Sequence, residues 1–181
     1  MFSILVTALF YWSLINLVTI PLFVYFVYGH DIHLGGYSQK IKLAIVEYLV
    51  PYQLGGFNAV AWTVLFAPFL EEIVFFGVPS LFGRIYIIMG LVAWSIVHIG
   101  RIAYGVRYIG STFRYLGAVL SYTLFITLNG CLHLYLWTNG YGAVSIALHS
   151  LNNALVILGS YIMIARKSTE CRGKRYWVRS F

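Results

Sequence analysis

Charge is what this chain has least of. Only 9% of its 181 residues are Asp, Glu, Lys or Arg, whereas a soluble domain of ordinary composition has about a quarter. Hydrophobic residues make up 61% and the mean hydropathy is +0.84. That balance excludes a soluble globular fold and predicts an integral membrane protein. No polar linker divides the chain, so a single domain is expected. Cysteine is almost absent: Cys131 and Cys171 are too few for a disulfide framework. Cys131 falls in an apolar run and is expected in the core, and Cys171 in a basic tail where acylation is chemically open. Also missing are a Ser–His–Asp set and an HExxH motif, which sets aside the familiar serine and zincin chemistries.

Long uncharged runs are what the chain does have. No Asp, Glu, Lys or Arg occurs between residues 115 and 165, far more than the roughly 20 residues one crossing needs. The stretch "WTNGYG" at 137–142 interrupts this run with Asn-Gly turn chemistry and predicts two helices in a hairpin. Met1 to Gly29 is also uncharged. It has neither the basic leader nor the cleavage site of a signal peptide, so a retained span is expected.

The predicted fold is an all-α transmembrane bundle of about five spans, near 3–28, 57–82, 85–104, 114–138 and 141–165. The apolar segment 41–50 is too short to cross and predicts an interfacial or re-entrant helix. Gly55-Gly56 reads as a turn and "RYIGSTFR" at 107–114 as a solvated loop. Residues 1–165 form the transmembrane domain and 166–181 a basic tail. Placing the C-terminus in the cytoplasm puts every Lys and Arg inside except Arg84, and the tail on anionic lipid. No nucleic-acid fold accompanies the basic charge, so nucleic acid is not an expected partner.

Against this background the stretch "APFLEEIVFFGVP", 67–79, stands out. It holds two of the five acidic residues, Glu71 and Glu72, inside an apolar run. Ionisable groups in hydrocarbon are costly and mark function. Three histidines, His98, His133 and His149, also fall in predicted spans, with Asn152 and Asn153 close by. At 1.5 Å of rise per residue, Glu71, His98 and Asn153 lie roughly 17, 20 and 18 Å from the outer surface, and His149 about 12 Å. Three helices thus bring polar groups to similar depth. His149 and Asn153 share a helix face, whereas Glu71 and Glu72 diverge by about 100°, so at most one is expected to face the same centre. His133, four residues from Asn129, is expected to be a structural, hydrogen-bonded histidine, and Asn152 to bond between helices.

Such a cluster suits hydrolysis. Glu71 would take a proton from water, His98 would orient that water, and His149 with Asn153 would donate hydrogen bonds to a developing oxyanion. In the alternative arrangement Glu71, His98 and His149 bind a divalent metal such as zinc with an open position.

The three patches "EEIVFFG" (71–77), "WSIVH" (94–98) and "HSLNN" (149–153) resemble, in order and spacing, those of the CPBP family. These are the CAAX-protease and bacteriocin-processing (Abi) intramembrane proteases, which include type II CAAX prenyl endopeptidases. The resemblance covers about residues 57–158. It implies a multi-span helical bundle with a cavity inside the membrane. It also implies that Glu71 is the catalytic glutamate, Glu72 its companion, and His98, His149 and Asn153 the remaining site residues, acting on a membrane-associated peptide. The family pattern EExxxR would put arginine at position 76, where this chain has Phe76, and Trp94 stands where Phe is usual. The missing guanidinium motivates an alternative from another class: a non-catalytic scaffold or subunit bound to a membrane-protein partner. A proton or ion pathway is the weakest fit, because the polar residues gather at one depth.

Overall fold

The computed structural model describes residues 2–28, 60–107, 109 and 111–158. The expected 41–50 helix, the Gly55-Gly56 turn, the end of the fifth span beyond Leu158, Cys171 and the basic tail all lie outside these residues. Among the described residues the chain is helical with no strand. The helices are α1 (Phe2–Tyr28), α2 (Trp62–Ser80), α3 (Arg84–Gly105), α4 (Thr112–Thr138) and α5 (Gly142–Leu158). Four of them, α1 to α4, are long and apolar enough to cross a membrane, and the described part of α5 is a shorter apolar helix. This is the architecture of an integral membrane protein.

The helices carry apolar side chains outward as well as inward. Leu17, Leu81 and Phe113 are among the most exposed residues, as expected where lipid rather than water is the solvent. Cys131, expected in the core, is also exposed on α4; the helix is apolar all round, so an apolar neighbourhood did not specify an inward face. Hydroxyl and amide side chains along the helices bond to carbonyls of their own preceding turn. Thr19 donates to Ile15, Ser121 to Gly117, and Asn129 to Phe125. A polar group without water is thereby satisfied locally.

Helix α4 runs through the middle and contributes to three apolar clusters. Ala118 packs with Val27, Ile102 and Val106. Leu132 and Leu136 pack with Ala8, Trp12 and Leu148. Ile126 packs with Phe76, Ile87 and Trp94. At its end the expected hairpin turn is present. Gly140 adopts a φ of 79°, Tyr141 N–H donates to the Leu136 carbonyl at 2.8 Å, and Gly140 N–H to Trp137 at 3.2 Å. This paired closure satisfies the last carbonyls of α4 and turns the chain into α5.

Helix α2 is irregular where it matters. Trp62–Phe66 and Ile73–Gly77 are π-helical, on either side of the regular turn Ala67–Glu72. Each wide turn closes just before a proline: Ala67 N–H bonds Trp62 O ahead of Pro68, and Val78 N–H bonds Ile73 O ahead of Pro79. Proline has no N–H to continue the ladder, so the carbonyls behind it need other neighbours. The carbonyl of Phe75 faces Gly90 of α3. A Cβ at position 90 would lie 1.8 Å from the Phe75 oxygen, and a backbone atom cannot rotate away. Gly90 therefore sets how closely α2 and α3 approach. Gly90→Ala is expected to force them apart and cost about 1–3 kcal/mol. Thermal unfolding in detergent would register this as a lowered midpoint; an unchanged midpoint contradicts the close packing.

Candidate active site

The acidic pair lies at the middle of α2, and the other site residues come from helices at helical spacing. Trp94 and His98 are four apart on α3, His133 and Trp137 four apart on α4, and Ser145, His149 and Asn153 four apart on α5. Residues four apart share a face, so each helix turns a polar stripe toward α2.

Glu71 is half-buried. Its Oε2 lies 3.3 Å from His98 Nε2 and 3.6 Å from His149 Nε2. Trp94 Nε1–H donates to the same oxygen at 3.3 Å. His98 Nδ1 is 2.9 Å from the Trp94 carbonyl, which only accepts, so this nitrogen carries the proton. The Trp94 ring lies 4.5 Å from that of His98, centroid to centroid, and forms one wall of the site.

Glu72 is fully buried, and both its oxygens are occupied. Oε2 accepts from Trp137 Nε1–H at 2.7 Å and from the Ser145 hydroxyl at 2.8 Å. Oε1 lies 3.1 Å from His149 Nδ1 and 3.0 Å from His133 Nδ1. His133 Nδ1 also lies 2.7 Å from Ser145 Oγ. Four polar groups surround one carboxylate, three placed to donate to it and His133 placed to donate to Ser145 in turn, which is what a charge removed from water requires.

Both glutamates therefore engage the same imidazole, contrary to the expectation that at most one would face it. Adjacent helical residues do diverge, but the two carboxylates reach opposite edges of the His149 ring. Glu72 takes Nδ1 and Glu71 faces Nε2.

A cavity of about 340 Å3 opens beside Glu71. All five helices line it, through Thr19, Thr63, Arg101, Asn129 and Asn153 among others, with Glu71, His98, His133 and His149 at its wall. Asn153 reaches the cavity, but its amide donates to the Thr63 carbonyl at 2.9 Å. In the wide turn the donor for that carbonyl would come from position 68, which is proline, so Asn153 supplies the missing N–H. Phe76, at the position of the motif arginine, is fully buried. Its ring packs 5.7 Å from Trp94 and 5.8 Å from His133, so an apolar wall replaces a cation.

Two residue sets bear on metal binding. Glu72, His133 and His149 each place one ligand atom within 4.8 Å of the others. Their facing atoms already exchange hydrogen bonds, which a metal would have to displace. Glu71, His98 and His149 differ in this respect. Both imidazoles have Nδ1 held by an acceptor and Nε2 turned toward Glu71. That is the outer support metal-binding histidines carry, but among the described residues only the Glu72, His133 and His149 set brings its ligand atoms all within 4.8 Å of one another, so the expected Glu71, His98 and His149 set is too widely spaced to share one ion as it stands.

Sequence reasoning missed Trp137 and Ser145, and treated His133 as structural without its link to Glu72. Their spacing of four residues from His133 and His149 was the available signal. Asn153→Ala is expected to destabilise the fold by about 1 kcal/mol, because it strips the Thr63 carbonyl of its donor. Equilibrium unfolding measures this; unchanged stability contradicts the assignment.

No family model matches the chain, and neither a curated protein nor a solved structure matches it.

Proposed function

We propose that this chain is a multi-pass intramembrane endopeptidase with its C-terminal tail in the cytoplasm. It hydrolyses a peptide bond of a membrane-associated substrate with water activated between carboxylate and imidazole. The observation that carries the reading is the convergence of Glu71, His98 and His149 on one cavity. Water is the nucleophile of this reading, although Thr63 lines the cavity with a buried hydroxyl that has no hydrogen-bond partner. The Ser145 hydroxyl is fully buried and committed to Glu72, the Thr19 hydroxyl donates to its own helix, and Cys131 lies on an exposed face outside the cavity lining. Carboxylate and imidazole groups in a partly dry cavity are the common equipment of acid–base catalysis. The apolar walls from α1 and α5 favour a substrate that arrives through lipid. The excess of Lys and Arg on one side supports the orientation.

Phe76 favours a second reading, a non-catalytic member that binds another membrane protein. A buried phenyl ring stands at the motif position in place of a guanidinium. The two readings separate in one experiment. Purified protein should cleave a membrane-associated peptide, and Glu71→Ala should lower the rate by at least about a hundredfold while the helical spectrum is kept. Equal cleavage by wild type and Glu71→Ala contradicts the protease reading. No turnover, together with a co-purifying membrane protein, supports the second.

A further inference from the structure

We infer that His149 is the proton acceptor of the site, and that Glu72, held by Trp137, Ser145 and His133, is the positioning residue that fixes which ring nitrogen of His149 is bare. This deepens the hydrolase reading and rests on it for the reaction step, though not for the tautomer. It also departs from the sequence expectation, in which Glu71 takes the proton and His149 donates to the oxyanion.

Glu72 Oε2 is filled by two groups that donate to it, the Trp137 indole N–H and the Ser145 hydroxyl. Ser145 has a single proton, so its oxygen accepts from His133 Nδ1–H at 2.7 Å. Ionised Glu72 has no proton to give, so its Oε1, 3.1 Å from His149 Nδ1, only accepts. His149 must carry its proton on Nδ1, and neutral His149 has a lone pair on Nε2. That nitrogen points away from Glu72 toward the cavity, where its neighbour is Glu71 Oε2 at 3.6 Å. A carboxylate that fixes an imidazole tautomer and stabilises the imidazolium formed later is a recurring base-activating device.

The partner pair has the opposite character. His98 Nδ1–H is committed to the Trp94 carbonyl, so neutral His98 presents a lone pair on Nε2 as well. It faces Glu71 Oε2 at 3.3 Å. Two acceptors hold that distance when a proton lies between them, so the Glu71–His98 pair is a proton-bearing pair suited to the carbonyl oxygen. In the step, a water oxygen bonds to the substrate carbonyl carbon as one water proton passes to His149 Nε2. The C–N bond then breaks and the same proton leaves on the amine, giving an acid and an amine.

The test is 15N NMR of the full-length, histidine-labelled protein in detergent, with His149 assigned by its loss in His149→Gln. The expected result is an Nδ1–H His149 with a bare Nε2; an Nε2–H His149 overturns the proposal. Trp137→Phe and Ser145→Ala each remove one donor from Glu72. Each is expected to mix the His149 tautomers and lower kcat roughly tenfold with little change in KM. Ser145→Thr, which keeps the hydroxyl, should restore both. Unmixed tautomers and unchanged kcat in both variants also overturn it. An Nδ1–H His149 in a protein that cleaves no peptide would uphold the positioning and remove the hydrolase reading. An Nε2–H His149 in an active enzyme would do the reverse.

Discussion

A carboxylate in the middle of a hydrocarbon layer needs donors, and this requirement shapes the interior of the bundle. Glu72 meets it with an indole, a hydroxyl and the His149 imidazole, with the His133 imidazole donating to that hydroxyl. Those four groups come from α4 and α5, so a single buried charge ties α2 to the hairpin. An ion pair of this kind adds little to stability compared with apolar packing of the same volume, but breaking it is costly. Its effect here is to fix the relative rotation of three helices. Glu71, one residue earlier, is left at the cavity with fewer partners. The two adjacent glutamates thus have different surroundings: one saturated and structural, the other accessible and available for chemistry.

The backbone of α2 adapts to the same end. Two prolines interrupt its hydrogen-bond ladder, and each is preceded by a wide turn. The Thr63 carbonyl, which loses its donor to Pro68, is met from α5 by the Asn153 amide, and the Phe75 carbonyl abuts Gly90 of α3. Irregular backbone at membrane depth is tolerated where protein or a cavity covers it. The irregular turns flank the acidic pair, which is where wide helical turns gather in functional proteins.

Much of this was legible in the sequence, for definite reasons. Uncharged runs of sufficient length marked the helices, because lipid forbids charge over that distance. Asn139-Gly140 marked the hairpin, because the turn needs a left-handed residue. Glu71, His98 and His149 were legible as a cluster, because similar depth on neighbouring helices is computable from the helical rise. Rotation about each helix axis was not. It decided that Cys131 faces outward, that Asn153 bonds a backbone carbonyl, and that both glutamates reach His149. In a soluble helix the apolar stripe reveals rotation; here the helices are apolar all round and the stripe is lost. The polar residues at four-residue spacing on α3, α4 and α5 carry that information instead.

The central claim is that side chains of α2, α3 and α5 meet at one point inside the bundle. Solid-state NMR in lipid bilayers tests it most directly, through dipolar dephasing between a 13C-labelled Glu71 carboxylate and the 15N-labelled rings of His98 and His149. Contacts of 3.3 and 3.6 Å predict strong dephasing at both histidines. A Glu71 signal untouched by either ring would place the carboxylate elsewhere and contradict the account.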